Sequence, residues 1–146
     1  MKPVTVRCLN VGKTFGLVEA VRGLDLTIET NQIVALVGPS GSGKTTVLRL
    51  IAGFERPTAG SIEIDGRIVA GPGTDVRPEQ RRVGMVFQDS ALFPHLNVGR
   101  NVTYGISKDA GWSDRVQHLL AIANLVGLEQ RMPHQLSGGQ QQLVAL

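Results

Sequence analysis

Cysteine is almost absent from this chain. Cys8 stands alone, so no internal disulfide can form and no second thiol is at hand to complete a metal clip. A lone thiol fits a reducing compartment, and Cys8 is expected to be a small buried or edge residue. Long apolar runs are missing as well, since nothing approaches the about 20 residues that span a bilayer. Residues 1–10 lack the charged, then apolar, then small-residue plan of an export signal, which predicts a cytoplasmic address. Charge of one sign is nowhere concentrated. The 15 Lys and Arg and 12 Asp and Glu, net +3, are spread along the chain, which speaks against a nucleic-acid partner. Internal repeats and low-complexity tracts are also lacking.

What is plentiful is glycine, with 18 residues, several of them clustered at 38–43 and 137–139. The remaining composition, 42% hydrophobic and 18% charged over 146 residues, allows a globular domain with an apolar core. Apolar and polar residues alternate over 4–11 and again over 24–28, the period-2 pattern of an antiparallel opening pair. Ile33-Val34-Ala35-Leu36-Val37 is continuously apolar and predicts a strand buried on both faces in a parallel sheet. Val47, Leu48, Leu50 and Ile51 give a helical stripe closed by Gly53. Ser61-Ile62-Glu63-Ile64, the turn Asp65-Gly66 and Arg67-Ile68-Val69 predict a hairpin, because Asp-Gly tolerates the positive φ values of its tight turn. Residues 71–82 read as a loop and 83–87 as another short strand. Beyond about residue 89 the pattern becomes helical and predicts a second lobe. There Ser113 is expected to cap a helix whose Val116, Leu119, Leu120 and Ala123 share one face.

Gly38-Pro39-Ser40-Gly41-Ser42-Gly43-Lys44-Thr45 fits G-x-x-x-x-G-K-[ST] and lies between the expected strand and helix. Glycines let successive N–H groups turn into one concavity, and the helix N-terminus adds positive potential there. A polyphosphate suits such a cradle. Lys44 is expected to pair with the β- and γ-phosphates, and the Thr45 hydroxyl to be one ligand of Mg²⁺. A glycine-rich turn that binds nothing is the competing reading. A chance match to this pattern in a chain of this length is on the order of 1%.

Leu136-Ser137-Gly138-Gly139-Gln140 precedes a second helical stretch, with Ser137 as its cap and two glycines leaving N–H groups bare. Taken alone, it is equally a flexible helix entry. Together the two glycine motifs resemble the Walker A loop and LSGGQ signature of ABC-type ATPases, and the likeness covers essentially the whole chain. It implies an α/β fold: a P-loop NTPase core with an antiparallel β subdomain and a helical subdomain. Residues 1–88 would form the incomplete ATP-binding core, and 89–146 the helical subdomain ending in the signature. By the same resemblance, residues 38–46, including Thr46, hold ATP, and Gln88 touches Mg²⁺ and links the site to membrane subunits. Phe15 in Lys13-Thr14-Phe15-Gly16 stacks on adenine, the competing role being a core or edge aromatic. Residues 91–96 resemble the stretch that meets the transmembrane permease, so contacts are expected near 88–96. The family works as a head-to-tail dimer, which would set Ser137, Gly138, Gly139 and Gln140 against ATP bound by a partner chain. A solute-binding protein completes such importers, and the ATPase would sit peripherally on the cytoplasmic face of the cell membrane.

One departure accompanies the likeness. The family carries a magnesium-binding Asp, a catalytic Glu and a γ-phosphate-sensing His after the signature helix, and the sequence given stops at Leu146 before all three. No Asp-Glu pair occurs in it; Asp65 belongs to the hairpin turn, and His95, His118 and His134 fall outside the position of the sensing histidine. The C-terminal part of the core is therefore expected to be missing and no catalytic residue present. ATP would be bound but poorly hydrolysed, and an exposed strand edge would make the chain marginally stable or prone to aggregate. Residues 77–88 most resemble subunits serving ferric iron, polyamine, sulfate or sugar importers, with ferric iron first. The alternatives are a soluble ABC-type ATPase acting on nucleic acid and an inert gene fragment. A phosphate-loop kinase or GTPase would leave Gln88 and the signature unexplained.

Overall fold

The structure, a computed structural model, describes residues 4–88, 91–105 and 112–146. Backbone proximity divides the chain into two compact units, Met1–Met85 and Val86–Leu146. The boundary expected at about residue 89 lies outside the described residues.

In the first unit β1 (Val4–Phe15) and β2 (Val18–Glu29) form an antiparallel pair. Both run beyond their alternating patterns, because each supplies the other's ladder from Val4 opposite Glu29 to Phe15 opposite Val18. The predicted hairpin is present as β3 (Ala59–Ile64) and β4 (Arg67–Gly71). Its turn residues Asp65 and Gly66 have φ of 47° and 77°, as a two-residue turn matched to strand twist requires. With the short β5 (Thr74–Asp75), the sheet order is β2-β1-β3-β4-β5, antiparallel at every pairing.

Helix α1 (Lys44–Ala52) ends at Gly53, whose N–H returns to Arg49 O at 2.9 Å. Val47, Leu50 and Ile51 enter a core with Val6, Cys8, Val11 and Ile62. Leu48, expected on the same stripe, is instead 51% exposed. A residue one step from Val47 is rotated by about 100°, off the i, i+3, i+4 face.

Three further expectations are corrected. Residues 33–37 form no strand, and Ile33 and Val37 are 98% and 92% exposed. A strand exists only in a ladder, and no strand among the described residues pairs with this run. Residues 83–87 likewise form no strand, for the same reason. The stretch 71–82, expected to be a loop, contains β5 and the one-turn helix α2 (Pro78–Arg81), started by Pro78 at its first position.

Arg81, at the end of α2, has a side chain that is 0% exposed. Its Nη1 donates to Leu50 O at 2.8 Å and Ile51 O at 3.1 Å, its Nε donates to Val76 O at 2.7 Å, and Nη2 pairs with Asp75 at 3.3 Å. Burial lowers its pKa below the usual arginine value and the Asp75 carboxylate opposes that shift. An arginine remains charged throughout, so a cation sits on the last carbonyls of α1, where the helix dipole favours it.

The second unit holds α3 (Val98–Val102), α4 (Trp112–Ile122), a 3-10 turn at Pro133–Gln135 and α5 (Gly138–Ala145). Val98, Val116, Leu120, Leu125, Leu136 and Val144 form its core. Because α4 begins at Trp112, Ser113 lies inside its first turn and is not the cap. Val116 and Leu120 are buried as expected, and Ala123 packs against them, while Leu119 is 41% exposed.

Candidate functional site

The loop formed by residues 38–43 passes directly into α1. Gly43 precedes the helix with φ 87°, and a Cβ there would lie 2.3 Å from Ala20 O on β2. Only glycine lets the loop press this closely on the sheet. The first helical bond runs from Val47 N–H to Gly43 O at 2.9 Å. The amides of Lys44, Thr45 and Thr46 therefore precede the intrahelical ladder, at the positive end of the helix dipole. Gly38, Pro39, Ser40, Gly41 and Ser42 are exposed, and a Cβ placed on Gly41 would meet nothing within 4 Å.

Lys44 folds back across this loop. Its Nζ donates to Gly38 O at 2.8 Å, Pro39 O at 2.6 Å and Ser42 Oγ at 3.2 Å. All three ammonium donors are thus aimed at loop oxygens, which holds a full positive charge within the glycine-rich turn. These contacts are exposed, so an anion with stronger acceptor oxygens can compete for the same protons.

Thr45 is exposed in the first turn, and a hydroxyl oxygen suits Mg²⁺. No group of three or more His, Cys, Asp or Glu that could hold a metal occurs among the described residues. A site offering one hydroxyl fits an ion held mainly by water and ligand phosphates, as Mg²⁺ commonly is.

Phe15 lies at the end of β1 opposite Val18, and Ala20, which touches Gly43, follows two residues later on β2. The expected aromatic and the loop are therefore brought to one end of the sheet. Phe15 is 44% exposed and carries Lys13 Nζ at 4.6 Å from its ring centroid. Period-2 spacing places Lys13 and Phe15 together, but their tie to Glu55 lay beyond reach of local patterns. That ion pair, 2.9 Å long, joins residues far apart in sequence.

In the second unit Gln88 is exposed in a bend. The stretch 91–96 is shaped by Asn101, which sequence reading missed. Asn101 Oδ1 accepts from Phe93 N at 2.8 Å, and Nδ2 donates to Leu96 O at 2.9 Å and Asn97 O at 3.1 Å. Phe93 also stacks on Tyr104 with centroids 4.1 Å apart and meets His95 edge-on at 6.0 Å. His95, His118 and His134 are all exposed.

Ser137 caps α5 as expected. Its Oγ accepts from Gln140 N at 3.3 Å, and Gln140 Oε1 accepts from Ser137 N at 3.0 Å, a reciprocal capping box. Gly138 and Gly139 follow, exposed, with nothing within 4 Å of a Cβ placed on either, in the first turn, where helix N–H groups have no intrahelical partner. A separate cavity of about 510 Å³ in this unit is lined by apolar residues such as Leu119, Ile122 and Leu143 and by none of the predicted site residues.

Comparison with known proteins shows the family. The Fe(3+) ions import ATP-binding protein FbpC of Mesorhizobium japonicum is 48% identical over 92% of this chain and 38% of its own length. The sulfate/thiosulfate import ATP-binding protein CysA of Synechococcus elongatus is 46% identical over 99% of the chain and 42% of its own. The spermidine/putrescine import ATP-binding protein PotA of Rubrobacter xylanophilus is 49% identical over 99% and 38%. The chain thus spans about two fifths of these curated relatives. Among solved structures, the dimeric bacterial ABC transporter cassette MJ0796 superposes with a TM-score of 0.80 at 32% identity, covering 96% of this chain and 66% of that one. Its post-hydrolysis form bound to ADP and Pi gives 0.81, again at 32% identity with 96% and 66% coverage. With residues 21–146 matching the ABC transporter family, the chain belongs to that family and has the α/β fold of its ATP-binding cassettes.

Proposed function

We propose that this chain is the ATP-binding part of an ABC importer subunit, taking Mg-ATP on residues 38–46. The observation that carries the reading is the loop itself: a lysine ammonium inside a glycine-rich turn, followed by the free amides of Lys44, Thr45 and Thr46. Phosphate oxygens would take over the protons that Lys44 now gives to Gly38 O and Pro39 O, and the first-turn amides would add neutral donors. Mg²⁺, held by the Thr45 hydroxyl and, as the family likeness implies, touched by Gln88, would neutralise phosphate charge. Phe15 would stack on the base.

The wider assignment rests on likeness. Relatives bearing the names of ferric iron, sulfate/thiosulfate and spermidine/putrescine import proteins support a role in coupling ATP to solute import, ferric iron being the first candidate. The dimeric cassette supports a head-to-tail pair in which Ser137, Gly138, Gly139 and Gln140 face the partner's nucleotide. On this reading residues 1–88 form the nucleotide core and 89–146 the helical subdomain. Residues 88–96, in which Asn101 holds Phe93 and Leu96, would meet a permease at the cytoplasmic face, and a solute-binding protein would deliver the cargo. The 146 residues contain no Asp-Glu pair, so the chain alone would bind ATP with little turnover, lacking a base to orient water.

Titration calorimetry tests the binding claim. Wild-type chain is expected to bind ATP more tightly with magnesium than without, and Lys44→Ala to weaken Mg-ATP binding by roughly 10- to 100-fold, as loss of a charge-assisted contact implies. Folded Lys44→Ala chain binding as tightly as wild type would refute it.

A further inference from the structure

The Phe15 ring is not simply an exposed aromatic at a strand end. Lys13 Nζ stands 4.6 Å from its centroid, and that ammonium is itself fixed by Glu55 at 2.9 Å and by Arg56 O at 2.9 Å. The Lys13 side chain is only 12% exposed. Such a cation is partly desolvated, and attraction to a ring face is stronger there than for a cation in water. Glu55 and Arg56 lie two and three residues beyond the Gly53 cap of α1, the helix whose first residue is Lys44. One charged side chain therefore ties the aromatic on β1 to the far end of the helix that carries the loop. The ring is 44% exposed, so with the ammonium on one face the other remains available to a flat partner.

We propose that Lys13, clamped by Glu55 and the Arg56 carbonyl, is a positioning residue that holds the Phe15 ring with one face occupied and the other presented to the base of the nucleotide. This rests on the nucleotide reading above and adds to it a division of labour. Residues 38–46 meet the phosphates, and the Lys13 clamp governs only the base end. Neutralising the cation frees the ring to rotate and removes its fixed orientation, so affinity for a base-bearing ligand falls. Affinity for a ligand made of phosphates alone does not.

The test is calorimetry of the 146-residue chain with Mg-ATP and with magnesium tripolyphosphate. Lys13→Met is expected to lose about 3- to 10-fold in Mg-ATP affinity while tripolyphosphate binding stays within error. Lys13→Arg should keep most of the ATP affinity, and Glu55→Gln should shift it in the same direction as Lys13→Met by about 2-fold. If Lys13→Met does not fold, Glu55→Gln carries the comparison with the same direction of split, and Lys13→Arg, which keeps the cation, is its control. Unchanged ATP affinity in folded Lys13→Met and Glu55→Gln would overturn the proposal, as would equal losses for both ligands. Wild-type chain that binds neither ligand removes the nucleotide reading itself, an outcome distinct from an absent split between the two.

Discussion

At Gly43 a single missing methyl decides whether the loop can reach the sheet, since a Cβ would stand 2.3 Å from Ala20 O. The need for glycine there is legible in the motif, but the atom that enforces it is not, because Ala20 lies on a strand remote in sequence. Cys8 shows the same division. Its burial was expected from residue type, and it is 1% exposed, which raises its pKa from 9.0 to about 11. The protonated thiol is favoured in the folded chain, so the unfolded chain releases its proton first as pH rises. The stability Cys8 contributes is intact below pH 9.0 and is lost as pH climbs through about 11. Denaturant melts of wild type and Cys8→Ala should therefore shift against each other between these limits, with wild type losing roughly 3 kcal/mol relative to the variant. A constant difference would show that the thiol ionises equally well in the folded chain.

Among the elements, those whose partners lie nearby in sequence were readable. The β3–β4 hairpin and its Asp65-Gly66 turn, helix α1 with its Gly53 stop, and the Ser137 cap of α5 each depend on residues a few positions apart. Residues 33–37 were misread because continuous apolarity describes a strand only when neighbours supply its ladder. Arg81 escaped notice because it reads as one charge in a basic stretch, yet it reaches Leu50 O and Ile51 O on another element. Removing it would leave those buried carbonyls, and Val76 O, without their donor. Arg81→Met is expected to cost about 2–4 kcal/mol in urea unfolding; a change under about 0.5 kcal/mol would mean that water replaces the guanidinium without penalty.

For the whole molecule, Ile33 and Val37 stand almost fully exposed beside a backbone that joins no ladder among the described residues. An unpaired apolar segment of this kind is a template for association. Ile33→Lys should raise the concentration at which the chain stays monodisperse by light scattering, and no change would place the sticky surface elsewhere. As proposed, phosphate binding needs only the loop, Lys44 and the first turn of α1. An amide-resolved NMR titration of the folded chain with Mg-ATP examines that claim at its source. The account predicts the largest shifts at Gly41, Ser42, Gly43, Lys44, Thr45 and Thr46. Shifts confined to residues lining the α4–α5 cavity, or none at saturating ligand, would contradict it.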